Sequence, residues 1–298
     1  MRLPILILSL LLLMQSLGAA AQMTSRTVSI THDSRRLVAS LDLAEGRALA
    51  DGVVLVVHGT MGHRDMDVMR RLRALLGERG HSTLAPTLSL GVDGREGMYD
   101  CAVPSRHRAE DSAAEIAAWV GWARQQGARR VVLLGFSRGG QQSAWYLAQT
   151  PQAPVDRLVL LAPIFAGDLA AGYESRFRQP LAPLLDRARR LVEAGRGDEL
   201  LPGVGFLNCE STSASAAALL SYYAPPPQSE PDATLPRIGV PTLVVVAGGD
   251  VIARDLEQRL GGRLAGRHRL TVISGADHFF HDLYGEDAAD EIGVFLRP

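Results

Sequence analysis

The sequence predicts an α/β fold: a doubly wound, mostly parallel sheet with helices on both faces and an inserted helical cap. Three observations carry that prediction. Short, continuous, β-branched apolar runs at 53–57 and 131–134 have the composition of strands buried on both faces of a sheet. Stretches with helical apolar spacing alternate with such runs, the order of a parallel sheet built from crossovers. The alternation stops after Pro163 and resumes at Pro241, which leaves a long helix-compatible stretch between them.

The elements follow in order. Residues 37–43 alternate apolar and polar side chains and predict an early, half-exposed strand. The buried-type strand 53–57 runs into His58-Gly59-Thr60-Met61-Gly62. Val68, Leu72, Leu75 and Leu76 share one face of a helix over 67–79, stopped by Gly80. A short strand at 82–85 closes at Pro86, and 88–106 reads as loop, with Gly91, Gly94, Gly97 and Pro104. Ile116, Trp119, Val120 and Ala123 form the apolar stripe of a helix over 109–126. The strand 131–134, a helix over 141–149 and a strand at 158–161 come next. From 164 to 236 little strand character is visible, and 181–194 and 211–223 read as helices, so the cap is placed at about 164–236. Strands at 241–247 and 270–273 and a helix over 287–296 close the chain.

Composition narrows the function classes. A formal net charge of -1 over 298 residues supplies no cationic surplus for phosphates, so no nucleic-acid partner is expected. All 31 basic residues are arginine. The absence of lysine excludes a Schiff-base amine, a pyridoxal phosphate anchor and a P-loop lysine, leaving covalent chemistry to Ser, Thr, Cys, His or a carboxylate. His63, His81 and His107 lack the spacing of a metal site. No cofactor and no metal are expected.

Residues 1–21 read as an export signal. Arg2 gives the positive start, 3–17 is apolar apart from Ser9, Gln15 and Ser16, and Gly18-Ala19-Ala20-Ala21 offers small residues for cleavage before Gln22. The uninterrupted apolar core, 4–14, is shorter than the roughly 20 residues that span a bilayer. A periplasmic or secreted domain over 22–298, without a stable membrane span, is the expectation. In that compartment Cys101 and Cys209 can pair as a disulfide; two separate thiols are the other reading.

The chemistry gathers at Gly135-Phe136-Ser137-Arg138-Gly139. A serine on a sharp strand-to-helix turn needs near-bare neighbours two residues away, and Gly135 and Gly139 provide them. A hydroxyl is a poor nucleophile without a base, itself oriented by a carboxylate. Asp250 follows the strand ending at Ala247, and His278 follows the strand ending at Ile273, so the order is Ser, Asp, His. Plainer readings stay open. Ser137 is also placed to cap a helix, Asp250 to cap the segment 252–260, Asp277 and Asp282 are alternative acids, and His281 is an alternative base. Met61, Met66 and Met69 either line an acyl pocket or, the preferred reading, belong to the core or a helix face; Trp119 and Trp122 read as packing residues, and His58 as a brace for its own loop in preference to a second base.

From Val53 onward the chain resembles the α/β-hydrolase superfamily, particularly its capped esterase, lipase and serine-peptidase-like branches, on the elbow, the order Ser137, Asp250, His278 and the element His58-Gly59-Thr60. The resemblance implies a nucleophile at Ser137, a general base and acid at His278 and an orienting acid at Asp250. It further implies an oxyanion hole from the backbone N–H groups of Thr60 and Arg138. Two departures are visible: His58-Gly59-Thr60-Met61-Gly62 replaces the H-G-G-G of some lipases and esterases, and no proline follows Asp250 within a few positions. The expected activity is hydrolysis of a small ester through an acyl-enzyme. A peptidase, a thioesterase or a non-catalytic binding protein are the alternatives, and the partner expected is a small-molecule acyl substrate. For the Arg138 side chain an outward, solvated position is preferred over pairing with a substrate carboxylate. Tyr222 and Tyr223 either shape an apolar pocket or fasten the cap.

Overall fold

The apolar runs pair into one eight-stranded sheet in a computed structural model that describes residues 23–297. The export signal expected at 1–21 lies outside the described residues. Strands β1 (Thr24–His32) and β2 (Arg35–Leu43) form an antiparallel hairpin, turned by Asp33 and Ser34 at φ 45° and 61°. Two positive φ values in a two-residue loop match the right-handed twist of the flanking strands. β3 (Val53–Val57), α1 (Asp67–Glu78), β4 (Thr83–Thr87), α2 (Asp111–Gln125), β5 (Val131–Phe136), α3 (Arg138–Gln149) and β6 (Arg157–Leu161) follow. After them come α4 (Ala166–Phe177), α5 (Leu181–Glu193), β7 (Leu200–Phe206), β8 (Cys209–Ser215), α6 (Ala216–Tyr223) and the short α7 (Pro231–Thr234). The chain ends with β9 (Thr242–Ala247), α8 (Leu256–Gly261), β10 (His268–Ile273) and α9 (Tyr284–Leu296).

The large sheet has the order β1-β2-β4-β3-β5-β6-β9-β10. Only the two pairings made by β2 are antiparallel; the other five are parallel. Alternate residues of each strand face opposite layers. Val53, Leu55 and Val57 pack with Ile116 and Trp119 of α2 and Leu147 of α3, while Val54 and Val56 pack with Met69 and Leu76 of α1 and Ile292 of α9. Helices therefore cover both faces, as a doubly wound sheet requires.

Three expectations are corrected. β2 is not half-exposed: residues 37–42 are all buried, because β1 and β4 flank it and Asp42 is satisfied inside by Arg73 Nε (2.7 Å), Ser25 Oγ (2.5 Å) and Thr83 Oγ1 (3.1 Å). β4 runs through Pro86, which stands opposite Ala39 beyond the last β3 pairing at Leu84, so its missing N–H breaks no bond to β3. The segment between β6 and β9 is not all helix. Residues 211–215, expected as helix, belong to β8, which pairs antiparallel with β7. The strands of this small sheet are rich in Gly, Ser and Thr, and they are fixed from outside. Ser105 bridges to Ala214, and Cys101 is joined to Cys209 with a Cα separation of 5.5 Å.

That segment has its own apolar cluster, formed by residues such as Tyr173, Leu185, Phe206, Leu219 and Tyr222. Met61 and Tyr99 from the loops after β3 and β4 complete it. It thus packs above the carboxyl ends of the central strands. No helix among the described residues is long and apolar enough to cross a membrane.

Candidate active site

β5 ends at Phe136 and α3 begins at Arg138, so the whole turn between strand and helix is Ser137. Its φ of 55° and ψ of -120° lie where L-residues rarely sit. Bare neighbours make the turn possible. A Cβ on Gly135 would stand 2.2 Å from the Gly139 carbonyl oxygen, and a Cβ on Gly139 would stand 2.5 Å from the carbonyl oxygens of both Val57 and His58. The Ser137 N–H donates to the Leu161 carbonyl at 2.8 Å, tying the turn to β6.

His278 reaches this serine from the loop after β10, and Asp250 comes from the loop after β9. The His278 Nε2 to Ser137 Oγ distance is 2.9 Å, and His278 Nδ1 to Asp250 Oδ2 is 2.7 Å. Asp250 divides its two oxygens between two tasks. Oδ1 accepts the Ile252 and Ala253 N–H groups at 2.7 and 2.8 Å, while Oδ2 faces the imidazole. Asp250 therefore does not cap a helix over 252–260, since α8 starts only at Leu256 with Asp255 at its N-cap; its Oδ1 closes the turn at 251–253 and leaves Oδ2 for the imidazole. Burial alone would raise its pKa, but the His278 hydrogen bond and the two N–H donors outweigh burial and hold it below the usual carboxylate value. Phe136 flanks the imidazole with a ring-centroid separation of 5.2 Å.

The alternative groups lie elsewhere. His281 is exposed and pairs through Nδ1 with Asp277 Oδ2 at 2.5 Å, and no hydrogen bond joins either residue to Ser137. Asp282 is exposed. Among the described residues no cluster of His, Cys, Asp or Glu forms a metal site.

The loop after β3 lies beside the serine, with Ser137 Cβ 3.2 Å from where a Gly59 Cβ would be. Neither the Thr60 N–H nor the Arg138 N–H donates to an acceptor among the described residues. His58 braces this loop: Nδ1 lies 2.8 Å from the Gly59 carbonyl, and Nε2 accepts the Leu88 N–H at 3.0 Å. Burial first, and the nearby Arg95 charge second, push the His58 pKa down to about 3, so the ring is neutral at physiological pH. Arg95, which carries no recognisable signal in the sequence, completes the brace by donating to the Leu88, Gly97 and Gly62 carbonyls. Met69 is core, whereas Met61 packs with the segment after β6.

That segment is pinned over the site by polar contacts. Asn208, in the β7–β8 turn, donates from Nδ2 to the Thr60 carbonyl at 3.3 Å. Glu230 accepts the first N–H groups of α4, those of Ala166 and Gly167, at 2.9 and 2.8 Å, a favourable place for a carboxylate at a helix N-terminus. Tyr223 Oη accepts the Leu207 N–H at 2.7 Å, and Tyr222 Oη lies 3.0 Å from His107 Nδ1. The tyrosines thus fasten this segment.

The expected outward position of the Arg138 side chain is corrected. The residue is only 3% exposed, stacked 5.2 Å from the centroid of Tyr222. The sequence offered no sign of this, because Tyr222 arrives from a helix more than eighty positions later.

A cleft of about 830 Å³ opens at the other, amino-terminal edge of the parallel strands, between Arg47, Arg79, His81, Arg130 and Arg297, and shares no residue with the Ser137 cluster. The chemistry-bearing groups stand at the carboxyl edge, where open α/β sheets place their sites.

Comparison with known proteins agrees with this architecture. The model of the alpha/beta hydrolase family matches residues 53–292. No curated protein sequence matches the chain. Among solved structures, an alpha/beta hydrolase from Penicillium sp. sh18 superposes with a TM-score of 0.67 at 17% identity, over 92% of this chain and 98% of the other. The esterase Est1E of Butyrivibrio proteoclasticus, solved with ferulic acid bound, gives 0.65 at 17% identity over 90% and 97%. An esterase from Pyrococcus furiosus gives 0.61 at 16% identity over 92% and 90%. At such identities the likeness is one of fold.

Proposed function

The chain belongs to the alpha/beta hydrolase family, and from that premise we propose that it is a serine esterase working through Ser137, His278 and Asp250. The observation that carries the reading is the unbroken hydrogen-bond line from the Ser137 hydroxyl through both nitrogens of one imidazole to a carboxylate. In the first half-reaction Ser137 Oγ attacks the ester carbonyl carbon while its proton passes to His278 Nε2. Asp250 holds the ring in the Nδ1–H tautomer and favours the imidazolium. The carbonyl oxygen, now negative, accepts from the Thr60 and Arg138 N–H groups, which have no other acceptor among the described residues. His278 then protonates the departing alkoxide, leaving an acyl group on Ser137. A water, deprotonated by the same imidazole, attacks the acyl carbon, and the proton returns to Ser137 as the acid leaves.

The fold neighbours that are esterases support an ester over a peptide or thioester. We further propose export, supported by Arg2, the apolar run 3–17 and the small residues 18–21, and by the joined pair Cys101 and Cys209, which suits an oxidising compartment. Sequencing the N-terminus of the protein recovered from its native host should give a start near Gln22.

The test of the activity is Ser137→Ala assayed on a panel of short 4-nitrophenyl esters, thioesters and peptide anilides. The expected result is turnover of the esters by the wild type and a loss of about 10⁵-fold or more in the variant, with an unchanged circular dichroism spectrum. Ester turnover at the wild-type rate in the variant would overturn the assignment.

A further inference from the structure

Arg138 presents a charge that the proposed reaction leaves unused. Its backbone N–H serves the oxyanion hole in that reading, but its side chain turns into the interior, where Nε donates to Thr60 Oγ1 at 3.3 Å. Nη1 and Nη2 are both buried and have no hydrogen-bond partner among the described residues. Other buried arginines of this chain are treated differently. Arg73 pairs with Asp42 at 2.7 Å, Arg64 pairs with Glu96 at 2.8 Å, and Arg95 gives its donors to three carbonyls.

The Tyr222 ring does not balance this account. A cation stacked on an aromatic face gains about 2 kcal/mol at most when desolvated, whereas burying an unpaired ion costs several kcal/mol. A guanidinium stays protonated at any physiological pH, so it has to meet an anion or lose stability. Burial lowers the Arg138 pKa from its ordinary value; the Glu230 carboxylate acts on it only at a distance, because both its oxygens are engaged by the Ala166 and Gly167 N–H groups and neither bonds the guanidinium. The nearby ring of His107 cannot pair with it either: burial and the Arg95 and Arg138 charges hold that histidine neutral, with a pKa down at about 3.

Position says which anion. Arg138 directly follows Ser137 in the chain, and its Nε rests on the side chain of Thr60. The unpaired edge of the guanidinium carries two parallel N–H donors, the fork that matches a carboxylate bidentately. We propose that Arg138 binds a carboxylate carried by the substrate, so that the ester taken by this site is anionic, with its charge a few bonds from the reacting carbonyl. The proposal rests on the esterase reading and names its substrate class. Neither Nη atom is open to solvent, so the substrate enters with the segment carrying Tyr222 displaced. The pair then forms in a dry site, where it is stronger than in water.

The test uses two isosteric pairs of esters with the wild-type protein, followed by acid release at constant pH. Monomethyl succinate against methyl succinamate places the charge on the acyl side, and acetoxyacetate against acetoxyacetamide places it on the alcohol side. In one pair kcat/KM should favour the carboxylate by about 10- to 100-fold, the range of a charge-assisted hydrogen bond. Arg138→Gln should erase that ratio, and Arg138→Lys should restore part of it, because a point charge replaces the fork. The wild-type ratios stand even if the variants fold poorly. Ester turnover through Ser137 with no carboxylate preference in either pair would overturn the proposal while leaving the esterase reading intact. A second arm needs no turnover: succinate should raise the melting temperature of Ser137→Ala and not of Ser137→Ala with Arg138→Gln. That shift, together with a wild type that hydrolyses none of the esters, would keep the carboxylate site and discard the esterase. Equal shifts in both proteins would overturn the carboxylate site.

Discussion

A single methyl group added at Gly135 should disable the site without touching any reacting atom. In Gly135→Ala the new Cβ falls 2.2 Å from the Gly139 carbonyl oxygen, 2.4 Å from its carbon and 2.5 Å from the Gly140 nitrogen. All three are backbone atoms of the first turn of α3, so no side chain can rotate out of the way. Ordinary carbon contacts lie near about 3.5 Å, which means the helix start must retreat by about 1 Å. Ser137 sits at the head of that helix, and its 2.9 Å contact with His278 moves with it. A misplacement of this size costs about 10²-fold in rate, and the overpacking costs about 1–3 kcal/mol in stability. The assay is kcat/KM on 4-nitrophenyl acetate beside the melting temperature. Gly172→Ala is the control: it lies in α4 with nothing within 4 Å of the added carbon, so turnover should hold and stability should stay or rise by about 0.5–1 kcal/mol. Wild-type turnover and melting in Gly135→Ala would refute the steric account of the elbow.

Two further outcomes are expected. Asp250→Asn should keep the fold and lose about 10³- to 10⁴-fold in kcat: its amide oxygen stays with the Ile252 and Ala253 N–H groups, so the NH₂ faces His278 Nδ1 and enforces the wrong tautomer. Near-native kcat on the same ester would contradict that role for the carboxylate. Acid should weaken the fold as soon as the pH falls through the range where free histidines protonate. Burial, helped by Arg95, sets the pKa values of His58 and His107 at about 3, below the unfolded value near about 6.5, so the unfolded chain takes up protons that the native state refuses. This stabilisation is complete above the unfolded pKa and is lost as pH falls toward 3. For the two rings it amounts to about 4 kcal/mol between pH 7 and pH 5. Urea unfolding at both pH values reads it directly, and equal stabilities would show that the rings are not buried neutral.

How much of this was legible in the sequence depended on how local the cause was. The strands 53–57 and 131–136 announce themselves because burial on both faces demands unbroken apolar runs. The elbow announces itself because a Cβ at Gly135 or Gly139 has no room. Ser137, Asp250 and His278 each stand in the turn or loop that follows a strand, which is why chain order alone could group them and why the folded chain links them by hydrogen bonds through the imidazole. Partners that arrive from far away left no such mark. The strand β8 reads as helix because its Ser, Thr and Ala are neutral, and only β7, Ser105 and the link to Cys101 make it extended. Arg138 looks like a surface arginine until Tyr222 covers it, and Arg95 like any loop cation until three carbonyls converge on it. Even the alternation of 37–43 misleads, because the polar residue Asp42 is paid a salt bridge by Arg73 inside the core.

The central claim is that one hydroxyl, activated by one imidazole, does the chemistry. A fluorophosphonate applied to the folded protein, followed by peptide mass spectrometry, tests it most directly. The account predicts a single phosphonyl adduct on the peptide carrying Ser137, formed in step with loss of ester turnover and absent from heat-unfolded protein and from His278→Ala. An inactivated enzyme labelled at another residue, or a folded protein that turns over esters while Ser137 stays unmodified, would contradict it.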